Sequence, residues 1–251
     1  GATRAEVYGK EILDNFEIGA KTNWLDGRLR INAAAFYEDY ENAQIFEFDG
    51  NIFVQSLFNI PESQIYGFEA SFEWVALDSL TISGGFGVME SESQEGDPFV
   101  VDQIEGFLNT AITSPVPIAA DAQAEFDSNF EGNRLPKFPH QTINLSALHE
   151  MPVNLFGSNT LITRVDFRGF NDRYWWVDNT DVQGFEALVD ASIALQLGPN
   201  WETAFWCKNC TDNNYNLSFE PAEMTLFGGP SKDIEYVARG ATYGLQIKYK
   251  F

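Results

Sequence analysis

The sequence is poor in basic residues and in histidine, and each shortage removes a class of function. Its 15 lysines and arginines stand against 37 aspartates and glutamates among 251 residues, which gives a formal net charge of −22. A surface this acidic repels a polyanion, so a nucleic-acid partner is excluded. His140 and His149 are the only histidines, and they lack the spaced partners of a zinc site or a catalytic triad. No glycine-rich loop opens a helix to hold a phosphate, and we therefore expect no enzyme, no metal site and no cofactor.

Cysteine is equally scarce. Cys207 and Cys210 are the only two cysteines, in a Cys-x-x-Cys sequence. In an extended strand, residues three apart point to opposite faces and lie too far apart to bridge. We therefore predict two unrelated cysteines at a strand end. No second cysteine pair completes a zinc site, and no strand–helix context favours a thioredoxin-type redox site.

Long hydrophobic runs are also missing. No stretch of about 18 consecutive apolar residues is present, which excludes a membrane-spanning helix. Membrane-spanning strands are not excluded by this absence, because their apolar residues alternate with polar ones. Aromatic residues, by contrast, are abundant: the chain has 22 Phe, 9 Tyr and 6 Trp.

The last residues of the chain alternate most clearly between apolar and polar. One parity is apolar and the other carries the polar residues, which predicts a half-buried strand. The chain then stops on an aromatic residue, and such an exposed apolar edge would favour aggregation in a water-soluble sheet. In a membrane barrel, lipid covers the apolar face and a neighbouring strand pairs with the edge. The ending resembles the C-terminal assembly signal of bacterial outer-membrane barrels, and the residues of the apolar parity are Tyr243, Leu245, Ile247, Tyr249 and Phe251.

The same alternation recurs along the chain and predicts nine strands. In each strand the apolar parity contains no charged residue, which is the sorting that a bilayer imposes. The connections also alternate in length, as in up-and-down barrels with short periplasmic turns and longer external loops. Short turns are predicted at 24–27, 77–79, 151–158 and 198–200, and longer connections at 48–62, 91–138, 172–183 and 211–238. The predicted fold is an all-β, antiparallel, up-and-down transmembrane β-barrel rather than a soluble β-sandwich.

An odd number of strands that begins outside the cell does not fit a complete bacterial barrel, which has an even number. We therefore expect residues 1–251 to be the C-terminal portion of a larger barrel, with further strands upstream of Gly1.

Five segments resemble the barrel of TonB-dependent outer-membrane receptors: residues 15–21, 24–37, 65–69, 133–139 and 208–212. The resemblance implies the last nine of 22 strands in the outer membrane of a Gram-negative bacterium. It also implies active import of a scarce nutrient, most commonly a ferric siderophore. The implied partners are outer-membrane lipid and lipopolysaccharide, a plug domain with the remaining strands, the TonB complex acting through an N-terminal part, and a small-molecule ligand.

Two groups of side chains are candidates for contacts inside or above such a barrel. Tyr174, Trp175 and Trp176 are clustered in a predicted external loop and could stack on a ligand; the alternative is an aromatic girdle at the membrane interface. Arg164, Asp166 and Arg168 share the polar parity of one strand, so we expect them to face the lumen, in an ion-pair ladder or against the plug.

The connection at 91–138 is strongly acidic, which could disfavour anionic ligands or bind Ca²⁺. A solvated surface beside cation-bridged lipopolysaccharide is the interpretation we favour. Two other functions fit the predicted barrel: a passive pore without a plug, and an adhesion or structural barrel whose long loops bind a surface partner.

Overall fold

The computed structural model describes residues 9–49, 54–95, 131–155, 157, 159–176, 179, 181–220 and 234–251. Within these residues the chain forms thirteen β-strands and no helix. Accordingly, no helix of the described part is long and apolar enough to cross a membrane. The strands are β1 (Ile12–Trp24), β2 (Leu29–Asp49), β3 (Val54–Leu77), β4 (Leu80–Glu95), β5 (Gln141–Val153), β6 (Asn159–Phe170), β7 (Arg173–Tyr174), β8 (Val182–Gln183), β9 (Glu186–Leu197), β10 (Trp201–Lys208), β11 (Asn216–Glu220), β12 (Ile234–Val237) and β13 (Thr242–Tyr249).

Nine of these strands form one sheet in chain order, β1-β2-β3-β4-β5-β6-β9-β10-β13, and each is antiparallel to its neighbour. The all-β, up-and-down antiparallel fold and the nine strands predicted from the sequence are thus confirmed. β1 and β13 are the two ends of the sheet, and the described strands do not include a pair that closes it. The total of 22 strands stays a prediction.

The register of the sheet keeps the apolar parity of every strand on one face. Ala35, for example, pairs with Ile18 on one side and with Phe68 on the other. Large apolar side chains on this face are open to the surroundings: Ile18 is 78% exposed and Leu245 is 71% exposed. A soluble domain buries side chains of this kind in its core, whereas a barrel in a bilayer turns them toward lipid.

Short hairpins join β1 to β2, β3 to β4, β5 to β6 and β9 to β10, all at the same end of the sheet. In the first hairpin, Gly27 has a φ of 85°, and Leu25 and Asp26 also have positive φ. The amide of Gly27 donates to the carbonyl of Trp24 over 3.1 Å. The turns predicted at 24–27, 77–79 and 198–200 are confirmed, whereas at the turn predicted for 151–158 β5 continues to Val153.

The connections at the other end contain more regular structure than was predicted. β2 and β3 stay paired up to Asp49 and Val54, so most of the predicted connection at 48–62 is strand. β4 continues to Glu95, although irregular structure was predicted from residue 91, because its backbone stays paired with β3 after the apolar alternation ends. Residues 96–130 of that predicted acidic connection lie outside the described residues.

The two later connections were predicted as loops, and each contains a small two-stranded ribbon. β7 pairs with β8 inside 172–183, and β11 pairs with β12 inside 211–238. These strands are too short for a hydrophobic period to be visible in the sequence, so the alternation could not predict them.

A small core lies at the loop end of β2, β3 and β4. Its buried members are Ala43, Ile60, Ile65 and Leu135. Leu135 belongs to a segment that runs beside β4, where Ser93 donates its amide to the carbonyl of Asn133 over 2.8 Å and accepts from the amide of Gly132. At the end away from the short hairpins, β2, β3 and β4 thus pack against the segment that contains Leu135.

Candidate functional site

The polar face of β6 carries two ion pairs that lie side by side. Arg164 Nε lies 2.8 Å from Asp166 Oδ2 on the same strand, and Arg168 NH2 lies 3.1 Å from Asp190 Oδ2 on β9. Asp166 and Asp190 are directly opposite each other in the register of the two strands. The structure thus brings the predicted trio of Arg164, Asp166 and Arg168 together with Asp190, which the sequence did not indicate.

Asp190 also reaches the connection that follows β10. Its Oδ1 accepts a hydrogen bond of 2.9 Å from the backbone amide of Asn209. Asn209 is 7% exposed and has a φ of 49°, in the left-handed region that asparagine tolerates better than most residues. One oxygen of this carboxylate therefore contacts the side chain of Arg168 on the polar face, and the other accepts from the backbone of the connection.

The side chain of Asn209 binds both ends of the β10–β13 connection. Its Nδ2 donates to the carbonyl of Asn213 over 2.9 Å and to that of Arg239 over 3.4 Å. Its Oδ1 accepts from the amide of Asn213. Asp212 adds a second closure, because its Oδ1 accepts from the amide of Ala241 over 2.7 Å. The sequence analysis placed Asn209 in the family-like segment 208–212 but did not predict these contacts, for which the tolerance of asparagine for a left-handed φ is the only local signal.

The prediction that Cys207 and Cys210 are unrelated is wrong, because the structure joins them in a disulfide with Cα atoms 5.5 Å apart. The strand ends at Lys208, and the left-handed turn at Asn209 reverses the chain so that the second cysteine returns to the first. The two side chains do not point to opposite faces of one strand, because Cys210 lies beyond the end of β10. The amide of Cys210 donates to the carbonyl of Val189 over 2.7 Å, which fixes this turn to β9.

The aromatic cluster lies in the connection between β6 and β9, where its three members differ in environment. Trp175 is 5% exposed, and the guanidinium of Arg173 lies 5.0 Å from the centre of its ring. Tyr174 and Trp176 are partly exposed. Trp175 thus anchors this loop, whereas part of the surface of Tyr174 and Trp176 is exposed. Contact of the three residues with a ligand stays a prediction.

Arg173 also pairs with a buried carboxylate. Its NH2 lies 2.9 Å from Glu186 Oε1, and Glu186 is 2% exposed. Glu186 is the far end of β9, beyond the roughly 9–11 residues that a tilted strand needs to cross a bilayer. Burial raises the pKa of the Glu186 carboxyl above its ordinary value, and the charge of Arg173 opposes part of that rise. The same guanidinium donates to the carbonyl of Asn216, so it joins the β6–β9 and β10–β13 connections.

Arg134 organises a further charged cluster at the loop end of the sheet. Its NH2 lies 2.7 Å from Glu90 Oε2 and its NH1 lies 3.2 Å from Asp172 Oδ2. His140 Nδ1 is 2.9 Å from the other oxygen of Glu90. Arg134 lies in the family-like segment 133–139, and His140 directly follows it. Through these two side chains the segment contacts Glu90 on β4 and Asp172 just after β6. In the part of the chain that the structure describes, no group of three or more acidic, histidine or cysteine side chains is arranged to hold a metal ion.

The C-terminal strand β13 pairs with β10 from Thr242 to Tyr249. On its apolar face the ring of Tyr249 lies 4.6 Å from that of Trp201 and 5.0 Å from that of Phe251. On its polar face Trp206 lies over Gly244, where a Cβ would collide with the indole ring. All five side chains of the predicted apolar parity, Tyr243, Leu245, Ile247, Tyr249 and Phe251, are exposed. Gln246 and Lys248 of the polar parity are exposed as well, so a role of the strand in barrel assembly stays a prediction.

The polar face of β1 to β5 is recessed. A recess of about 590 Å³ lies over small residues of the strands, among them Gly19, Ala34 and Gly87, with Glu17 and Glu69 at its sides. Because these side chains are small, they leave space on the polar face for another group to lie against the sheet.

Comparison with solved structures shows the same fold in bacterial receptors. The ferric yersiniabactin uptake receptor FyuA from Yersinia pestis matches with a TM-score of 0.70 and 19% identity, over 96% of this chain and 30% of that chain. The siderophore receptor PiuA from Acinetobacter baumannii matches with a TM-score of 0.65 and 20% identity, over 95% of this chain and 28% of that chain.

Comparison of sequences agrees with the structural matches. The curated "Probable TonB-dependent siderophore receptor PiuA" of Acinetobacter baumannii is 25% identical over 212 residues, which are 84% of this chain and 24% of that protein. The chain thus spans about a quarter of the length of this relative. The family model described as "TonB dependent receptor-like, beta-barrel" matches residues 2–210. The resemblance seen in the sequence is confirmed, and the chain belongs to the TonB-dependent receptor-like β-barrel family.

Proposed function

We propose that this chain is part of the barrel wall of a TonB-dependent receptor that imports a ferric siderophore or a similar iron complex across the outer membrane of a Gram-negative bacterium. The observation that carries the proposal is the sorting of the two faces over nine strands. Apolar side chains pair with apolar ones across the sheet, and the ion pairs of β6 and β9 lie on the opposite face.

This sorting matters because of the cost of charge in lipid. A lysine or arginine on the lipid face near the midplane costs about 2–4 kcal/mol. A sheet with Arg164 and Arg168 on one face and Val165 and Phe167 on the other is stable when lipid covers the second face and water or protein covers the first. We assign the polar face to the lumen and the long connections to the outside of the cell.

The proposed cargo follows from what similar proteins are named for. PiuA is described as a siderophore receptor and FyuA as the uptake receptor for ferric yersiniabactin. Iron bound to an organic chelator is the class of cargo that these names share. A passive pore and an adhesion barrel are the alternatives that the experiment must separate.

The whole receptor requires more than this chain supplies, because the relatives are about three to four times as long. We place the plug domain, the other strands and the segment that contacts TonB in the remainder of a longer protein. The recess beside β1 to β5 lies on the side where a plug would stand. Lipid and lipopolysaccharide contact the apolar face.

We assign contact with the cargo to the β6–β9 connection, through the partly exposed side chains of Tyr174 and Trp176. Trp175, buried beneath Arg173, holds that loop in place. Aromatic faces of this kind stack on planar or apolar parts of a ligand.

Uptake of ⁵⁵Fe-labelled siderophores tests the proposal in a strain that lacks the receptor and in the complemented strain. Catecholate, hydroxamate and phenolate chelators form the panel. The proposal expects that complementation restores uptake of at least one ferric complex, and that an uncoupler of the proton gradient or loss of TonB abolishes it. Uptake that is insensitive to both treatments would indicate a passive pore, and equal uptake by both strains for every chelator would leave adhesion as the better function.

A further inference from the structure

The carboxylate of Asp190 contacts both the polar face of β6 and the start of the β10–β13 connection. Oδ2 pairs with Arg168 on the polar face of β6, and Oδ1 accepts from the amide of Asn209 at the start of the β10–β13 connection. Both contacts use the same carboxylate, so a rotation that favours one of them changes the geometry of the other.

Asn209 is the point at which this connection is closed. Its amide group binds the carbonyls of Asn213, on the outgoing side, and Arg239, on the returning side. The disulfide between Cys207 and Cys210 surrounds it, and Cys210 is bonded to the carbonyl of Val189, the neighbour of Asp190. A shift of Asn209 therefore moves both ends of the β11–β12 ribbon.

Arg168 reaches the connection only through Asp190. Among the described residues, its hydrogen bond goes to Asp190 and none goes to residues 209–220 or 234–241. Its side chain is half exposed on the polar face, where a group outside the sheet can approach it. Arg164 is the matched case: it lies on the same strand and face, but its partner Asp166 has no bond to the connection.

We propose that Arg168, Asp190 and Asn209 form a relay by which an anionic group in the lumen changes the position of the external β10–β13 connection. A carboxylate of a plug, or an anionic cargo, competes with Asp190 for Arg168. When it succeeds, Asp190 is no longer held by Arg168 in the orientation that points its Oδ1 at the amide of Asn209, so this hydrogen bond is formed for less of the time. Asp190 is thus a positioning residue for the connection, and the inference rests on the proposed function only for the assignment of lumen and outside.

Hydrogen–deuterium exchange of the full-length receptor in detergent micelles, without ligand, tests the relay. Arg168→Gln should raise exchange of the peptide that covers residues 209–217 roughly fivefold, the order expected when one intramolecular hydrogen bond is lost. Asp190→Asn should raise it at least as much. The double variant should exchange no faster than Asp190→Asn, since both changes interrupt the same path.

Two further variants separate a relay from a general loss of structure. Arg164→Gln should leave exchange at 209–217 unchanged, although it also breaks an ion pair on β6. Arg168→Lys should restore most of the protection, because it keeps a positive charge near Asp190. The relay is wrong if Arg168→Gln exchanges like the wild type at 209–217, or if Arg164→Gln has the same effect. Heat-modified migration of the folded barrel on gels reports the fold independently, so failure of the relay is distinguishable from failure of the proposed receptor.

Discussion

Asp166 on β6 and Asp190 on β9 lie directly opposite each other, and a different arginine of β6 pairs with each carboxylate. Two like charges at this position repel each other. Arg164 and Arg168 offset that repulsion from opposite sides along the strand. Exposed ion pairs stabilise a protein by only about 0–1 kcal/mol, so the arrangement matters more for placing charge on the polar face than for holding the sheet together.

A charge placed on the apolar face should be far more costly than one on the polar face. Ile193 and Ser192 are neighbours on β9 whose side chains point to opposite faces. Ile193→Lys should destabilise the membrane-inserted receptor by about 2–4 kcal/mol, whereas Ser192→Lys should stay within about 0.5 kcal/mol. Denaturant unfolding in phospholipid vesicles measures both values, and similar costs for the two variants would contradict the assignment of the faces.

Gly244 should be intolerant of even a methyl group. A Cβ at this position collides with the indole ring of Trp206 on the polar face of β10. Gly244→Ala should displace the ring and cost about 1–3 kcal/mol, as overpacking commonly does. Gly184 provides the control, since a Cβ there meets nothing within 4 Å. The midpoint of thermal unfolding, followed by tryptophan fluorescence, should fall for Gly244→Ala and not for Gly184→Ala. An unchanged midpoint in the first variant would contradict the contact between Gly244 and Trp206.

The buried pair of Glu186 and Arg173 gives a pH dependence with a definite sign. Burial raises the pKa of Glu186 in the folded state, so its contribution to stability is fully present below its ordinary pKa and is lost as pH rises through the raised value. Relative to Glu186→Gln, the wild type should therefore become less stable as pH increases across that interval. The difference in unfolding midpoint between the two proteins, measured from pH 4 to 8 (roughly the range in which shifted carboxyl groups titrate), gives the sign. If the wild type instead gained stability over Glu186→Gln as pH increases, the charge of Arg173 would outweigh burial in setting the pKa of Glu186.

The disulfide should be present in the mature receptor. Alkylation of the denatured, unreduced protein should add no label to Cys207 or Cys210, and alkylation after reduction should label both. Replacement of both by serine should cost no more than about 2 kcal/mol, because the closed loop is very short. Two labels without reduction would show that the cysteines are free, and the turn at Asn209 would then rest on its hydrogen bonds alone.

The strands and the two faces could be predicted from the sequence, because a period of two in residues such as Leu29, Ile31 and Ala33 is a local property. The pairing of Arg168 with Asp190 could not. β6 and β9 are joined by residues 171–185 rather than by a short turn, so nothing local sets their register. For the same reason the sequence indicated the polar parity of Arg164, Asp166 and Arg168 but not the partner of Arg168 on β9.

Two further features, the disulfide and the burial of Glu186, could not be predicted from the sequence for a different reason. Cys207 and Cys210 bridge because of one left-handed residue, Asn209, and a single φ value leaves no periodic signal. Glu186 is buried against a general tendency of carboxylates to stay exposed, and only its contact with Arg173 explains why. Both features depend on contacts between connections, which a pattern along the chain does not contain.

The central claim is that lipid covers the apolar face of the sheet and water or protein covers the other. Spin labels at Phe205 and at its neighbour Ala204, on opposite faces of β10, test it most directly in the receptor reconstituted into vesicles. We expect the label at 205 to collide mainly with oxygen dissolved in the lipid. The label at 204 should collide mainly with a water-soluble nickel complex or, where protein covers it, with neither. Equal access of the nickel complex to both labels would contradict the central claim.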